Sequence, residues 1–193
     1  DNPFRDKQYK QWKYLRVAST VLHFCICFRV FQNASFSSVQ EKHTLVMPSA
    51  LLLTCEPIPL VRIALIGLGD RGMKTLRRYA FIPHAEIRYV VDLDSEKTET
   101  ANAALTQSGR PAAIAFCGAE AWKTVCEKED VDLVYVCTEW NTHTPMAVYA
   151  MEHGKHVAVE VPAATTVEEC FRLVRTAEAT QRHCFMTENC CYD

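Results

Sequence analysis

The sequence predicts an α/β fold: a doubly wound, mostly parallel sheet over residues 56–193, preceded by a poorly defined extension over residues 1–55. Three observations carry this expectation. From Val61 onward, short β-branched apolar runs alternate with segments whose apolar residues recur at helical spacing. Glycine, proline and capping residues punctuate most of the junctions. The 193 residues suit one domain with a small extension, and 49% apolar against 23% charged residues is enough to build a core.

The elements follow in order. Arg62–Ile66 reads as a strand running into a glycine-rich turn. Met73–Phe81 reads as a helix with Leu76, Tyr79 and Ala80 inward, stopped by Pro83. Glu86–Val91 is a second strand. Ser95 can cap a helix over Glu96–Gln107, closed by Gly109; Asp94 also suits a capping role. Ala113–Phe116 is a weak third strand. Ala119–Lys128 puts Trp122, Val125 and Cys126 on one helical face. Val131–Cys137 is strongly β-type. Thr144 is the expected cap of the next helix, with Pro145 at its first position and Gly154 past its end. His156–Val159 is a fifth strand. Thr165 or Thr166 caps a helix, Glu168 or Glu169 completing a capping box, with Val167, Cys170, Phe171 and Val174 as its buried stripe. His183–Met186 is a sixth strand. Such sheets bind ligands at the carboxyl ends of their strands, so the residues just after each strand are the informative ones.

Composition excludes several classes. A net charge of −2 argues against a nucleic-acid footprint. The ten cysteines contain no C-x-x-C pair, and Cys126, Cys137, Cys170 and Cys184 fall at core positions, so they read as small hydrophobes rather than as zinc ligands or a disulfide framework. No metal site is expected. Residues 1–46 carry seven Lys/Arg and three Asp/Glu, so the remaining chain is acidic. Their basic start before the apolar run Val17–Phe28 resembles a signal peptide, and Leu52-Leu53-Thr54-Cys55 resembles a lipoprotein cleavage box. Met47 as the true start is the alternative. Localisation stays open between cytoplasmic and exported, and membrane association is expected only through such a segment. The apolar residues at 17–28 and 45–53 also leave room for association between copies. A start at Asp1 rather than Met suggests a processed product or a fragment.

The motif that carries chemistry is Gly67-Leu68-Gly69-Asp70-Arg71-Gly72. It follows a strand, opens a helix, and stands 20 residues before Asp92, which is the full context of a dinucleotide fingerprint and makes the fold Rossmann-type. Gly67 permits the tight turn, Gly69 lets backbone approach a pyrophosphate, and Gly72 lets helix and strand pack closely. A plain glycine turn without cofactor is the alternative. Asp92 can accept from ribose hydroxyls and would repel a 2′-phosphate, which favours NAD. Trp140 could stack on a flat ring. His143 could face the nicotinamide end or a sugar, or bond only to local backbone. Glu160 and Asn189 follow the fifth and sixth strands and should reach the same crevice.

Arg62 to Asp193 resembles the N-terminal half of the Gfo/Idh/MocA oxidoreductase family. Members typically carry Glu-Lys-Pro after the fifth strand, where the lysine takes part in proton transfer; this chain has Glu160-Val161-Pro162. That departure, with Trp140-Asn141-Thr142-His143, the run Met151 to Ala164, and Glu188-Asn189-Cys190-Cys191-Tyr192, is similar to glycoside hydrolase family 109, the NAD-dependent α-N-acetylgalactosaminidases. The resemblance implies NAD contacts at Asp70, Arg71, Asp92, Trp140, Asn141, Thr142, His143, Glu160, Val161 and Asn189. It implies an amino-sugar glycoside substrate, cleaved by oxidation, elimination, hydration and reduction with NAD recycled. It also implies that the catalytic side chains come mainly from a following domain, so no catalytic residue is assigned here. A conventional NAD-dependent sugar or polyol dehydrogenase and a non-catalytic nucleotide binder are the alternatives.

Overall fold

The computed structural model of the protein describes residues 57–188. The extension over residues 1–55, Asn189 and the Cys190-Cys191 pair lie outside the described residues. The elements are β1 (Val61–Ile66), α1 (Asp70–Tyr79), β2 (Ala85–Asp92), α2 (Ser95–Gln107), β3 (Ile114–Cys117), α3 (Ala121–Cys126), β4 (Leu133–Val136), α4 (Trp140–Glu152), β5 (His156–Val159), α5 (Val167–Thr180) and β6 (Cys184–Met186). All five strand pairings are parallel, in the order β3-β2-β1-β4-β5-β6. This is the doubly wound sheet the sequence predicts.

Period two along the strands sorts the core onto two faces. In β4, Leu133 and Tyr135 pack with Leu76 of α1 and Leu105 of α2 on one side. Val134 and Val136 pack with Val125, Met151 and Leu173 of α3, α4 and α5 on the other. All four β4 side chains are buried, which explains the continuous apolar run of a central parallel strand. Cys126, Cys137 and Cys184 are buried in this core, and Cys170 is half-buried. Burial pushes the Cys126 and Cys184 thiols up to about 12, so neither is poised as a thiolate.

The structure corrects several local expectations. The helix after β4 starts at Trp140, not after a Thr144 cap, and Pro145 lies inside it. The Thr144 hydroxyl is buried and donates to the Ala163 carbonyl at 3.0 Å, so contact with the β5–α5 loop overrides its capping preference. On α5 the buried residues are Leu173 and Ala177, while Val167 and Phe171 are exposed. The Phe171 ring centroid lies 5.7 Å from the Arg175 guanidinium, within cation–π range. The third strand is shifted by one residue, to Ile114–Cys117, because register with Tyr89–Asp92 of β2 decides its ends. Asp94, not Ser95, caps α2: its side chain accepts from the Glu96 N–H, and Ser95 is the first helical residue, whereas Thr166 with Glu169 forms the expected capping box.

At the amino ends of the strands the fold is tied electrostatically. Arg62 of β1 grips Asp132, just before β4, with Nε at 2.9 Å and Nη2 at 2.7 Å. The guanidinium holds the Asp132 carboxyl below its ordinary pKa. Burial, with His183 and Arg182 alongside, lowers His156 to about 4 from its ordinary 6.5. His156 Nδ1 also accepts the His183 N–H at 3.0 Å, which only an unprotonated nitrogen can do. The folded state therefore favours neutral His156. As pH falls below about 6.5 the unfolded chain takes up this proton first, and stability declines until about pH 4. The Asp132 contribution, present above about pH 4, is lost only below it. A His156→Gln variant is expected to show a flatter stability profile between pH 6.5 and 4, measured by urea denaturation. An unchanged slope would remove His156 as the cause.

Candidate functional site

Strand order reverses between β1 and β4, so the loops after these strands diverge and open a crevice at the carboxyl edge. The glycine turn forms one wall. Gly67 has φ +90°, and a Cβ there would lie 2.6 Å from the Cys137 carbonyl oxygen of the neighbouring loop. A Cβ on Gly72 would lie 1.9 Å from the Gly67 carbonyl oxygen. Both positions admit only glycine, one for conformation and approach, the other for approach alone. Gly69 differs: a Cβ there would meet nothing within 4 Å. Its side is open space facing the start of α1, whose N-cap it forms without a side-chain capping bond. Helix α4, across the crevice, also starts without one, as does the short α3, whereas α2 and α5 are capped by Asp94 and Thr166. The two helix starts that flank the crevice thus have N–H groups and positive dipole ends without a capping side chain.

Asp92 closes the β2 side. Its Oδ2 accepts the Leu68 N–H at 2.6 Å and its Oδ1 accepts the Asp94 N–H at 3.1 Å. The carboxylate therefore braces the glycine turn as well as facing the crevice. Lys97 of α2, five residues further along the chain, lies 3.6 Å from Oδ1 and brings a cation to the ribose end of the crevice. Asp70 is fully exposed and pairs with Lys74 at 3.6 Å, so its charge turns away from the turn.

Arg71 and Glu160 meet across the site, Nε to Oε2 at 2.9 Å. That hydrogen bond raises the Arg71 pKa. Glu160 is buried, and its Oε1 accepts the Tyr135 hydroxyl at 2.8 Å. The Tyr135 oxygen also lies 2.9 Å from Thr187 Oγ1. Tyr135 was missed as a site residue. A tyrosine in a wholly buried strand signals a hydroxyl in need of a partner, but the partner is known only from register.

The β4 loop is arranged differently from its simplest reading. Trp140, Asn141 and Val161 are exposed, and the Thr142 hydroxyl lies 2.7 Å from that of Thr138. His143 is buried. Its Nδ1 lies 2.8 Å from the Pro162 carbonyl and its Nε2 3.0 Å from the Thr138 carbonyl. It joins the loops after β4 and β5, so its ring is committed to backbone rather than open to a ligand. Among the described residues no group of three His, Cys, Asp or Glu side chains could hold a metal, and no helix is long and apolar enough to cross a membrane.

Comparison with known proteins identifies the family. Residues 61–188 match the Gfo/Idh/MocA model, described as an oxidoreductase family with an NAD-binding Rossmann fold. The chain is 55% identical over 137 residues to an alpha-N-acetylgalactosaminidase of Bacteroides fragilis, covering 71% of this chain and 32% of that one. It thus spans about a third of the length of such relatives. Among solved structures it is similar to an NAD-binding protein from Listeria innocua, at 26% identity and TM-score 0.58, covering 69% and 36% of the two chains. A myo-inositol dehydrogenase from Lactobacillus casei, solved with NAD(H) and myo-inositol, shares the fold at 24% identity and TM-score 0.57, over 66% and 36%. With the family model matched over about two thirds of the chain and the doubly wound sheet in place, the chain belongs to the Gfo/Idh/MocA family of oxidoreductases with an NAD-binding Rossmann fold.

Proposed function

We propose that this chain is the NAD-binding part of an NAD-dependent glycosidase of the α-N-acetylgalactosaminidase type. The observation that carries cofactor binding is the glycine turn. Two of its glycines are required by backbone contacts, while Gly69 alone opens onto free space beside a helix start. Backbone N–H groups there can take a pyrophosphate, and Asp92 can take the hydroxyls of the adjoining ribose. Asp92 disfavours a 2′-phosphate, so NAD is preferred to NADP. Leu93 and Trp140 offer exposed apolar surface near the two ends of such a ligand.

A bound nicotinamide supplies a reversible hydride acceptor. The residues of this chain bind and orient it. Val161 is the feature that separates glycosidase from dehydrogenase, since an isopropyl group can neither take nor give a proton at a sugar hydroxyl. The 55% identical relative points to an amino-sugar glycoside as the substrate class. Fold neighbours acting on inositol keep the dehydrogenase reading as the competitor.

Calorimetric titration of the chain with NAD and NADP tests the first half, with NAD expected to bind at least about tenfold tighter; equal affinities would overturn the role of Asp92. The second half is tested by extending the coding sequence past Asp193 and assaying the longer product. Hydrolysis of an aryl α-N-acetylgalactosaminide without net NADH is expected. Net NADH formation on a free sugar would instead establish the dehydrogenase reading.

A further inference from the structure

Register places three polar side chains in one row. Tyr135 of β4 pairs with Ala158 of β5, and Ala158 with Phe185 of β6. Two residues further along each of the outer strands come Glu160 and Thr187, which by period two share the Tyr135 face of the sheet. Helix α1 contributes Arg71 to this face. Glu160 is thus held by both oxygens, Oε2 by Arg71 at 2.9 Å and Oε1 by Tyr135 at 2.8 Å. The phenol has one hydrogen to give, and the charged carboxylate is its stronger acceptor. The Thr187 hydroxyl, 2.9 Å from the phenol oxygen and 3.2 Å from the Val159 carbonyl, fixes the direction in which the phenol points. Burial raises the Tyr135 pKa, so the hydroxyl keeps its proton and remains a donor.

We propose that Tyr135 and Thr187 are positioning residues that hold the Glu160 carboxylate toward the second nucleoside of a bound dinucleotide. The inference rests on the NAD-binding reading above. With the pyrophosphate at the β1 turn, Asp92 at the end of β2 lies on the adenosine side and Glu160 after β5 on the opposite side. Glu160 has lone pairs beyond those taken by Arg71 and Tyr135, and a ribose hydroxyl is a donor suited to them. Without the phenol the carboxylate would keep only its bond to Arg71, itself on an exposed side chain, and would lose its fixed direction.

The test is calorimetric titration of the whole chain with NAD and with ADP, which carries adenosine and pyrophosphate but no second nucleoside. Tyr135→Phe is expected to weaken NAD about five- to tenfold while ADP stays within about twofold. Thr187→Val should weaken NAD in the same direction, and Thr187→Ser should restore it. In a Glu160→Gln background Tyr135→Phe should add no further loss, because the group it positions is already altered. Equal losses for NAD and ADP would mean general loosening and would overturn the proposal. So would unchanged NAD affinity, or losses that multiply in the double variant. A parent chain that binds neither ligand would instead overturn the NAD-binding reading itself, and this inference with it. Melting temperatures identify a Tyr135→Phe chain that fails to fold, in which case the Thr187 pair decides.

Discussion

Gly72→Ala is expected to cost at least about 3 kcal/mol of stability and to abolish dinucleotide binding, whereas Gly69→Ala should fold normally and lose the ligand alone. The difference comes from what the added methyl meets. At Gly72 it would sit 1.9 Å from the Gly67 carbonyl oxygen and 2.9 Å from its carbon. These are backbone atoms of a turn pinned on both sides. The Gly67 N–H donates to the Val91 carbonyl, and the Cys137 N–H donates to the Ile66 carbonyl. No side chain can swing aside, so helix α1 must move off the sheet and carry Leu76 out of the core. At Gly69 the backbone is ordinary for any residue, φ −66° and ψ −171°. The methyl there meets nothing, and loss of a favourable N-cap residue costs less than about 1 kcal/mol. The same methyl would occupy the space where a pyrophosphate must approach the backbone. Urea denaturation and NAD titration of both variants check this. A Gly69→Ala chain that binds NAD like its parent would show that the pyrophosphate lies elsewhere. A Gly72→Ala chain of full stability would show that the helix and turn are not packed as described.

Asp92 carries the second large effect, because one carboxylate does two jobs. It accepts the N–H of Leu68, a residue 2% exposed, so Asp92→Ala leaves a buried donor without a partner. That costs about 1–3 kcal/mol, and the loss of ribose recognition lowers NAD affinity at least about tenfold. Asp92→Asn separates the two roles. Its amide oxygen can still take the Leu68 N–H, so most of the stability is retained. The negative charge is gone, and Lys97, now 3.6 Å from a carboxylate oxygen, is released toward any 2′-phosphate. The NAD preference over NADP should narrow in Asp92→Asn. Titrations with both ligands and a melting curve measure this. Unchanged discrimination would place the source of specificity outside Asp92.

The candidate site was legible where chemistry is local. Gly67, Gly69 and Gly72 stand out because a tight turn and a close helix demand them in fixed order, and Asp92 follows from the length of one strand–helix–strand unit. Residues whose roles depend on partners from other strands were harder to read. Tyr135 and Thr187 acquire meaning only once β4, β5 and β6 are in register. His143 lies in the first turn of α4, as its place in the sequence suggests, but its contact with the Pro162 carbonyl of another loop appears only in the folded chain. Lys97 pairs with Asp92 through the turn of α2, a contact that sequence separation hides.

The same division holds for the fold. Alternating β-branched and helical periodicities, with glycine and proline at the junctions, determined by themselves a doubly wound sheet, because backbone sterics and side-chain period act within a few residues. Only the tertiary structure decided where α4 begins, which side of α5 is buried, and which way Glu160 is held. In each case a buried polar group or an apolar face, Thr144 on the Ala163 carbonyl or Leu173 in the core, found its partner in another part of the chain. Leaving such a group unpaired costs more than a weak local preference can return.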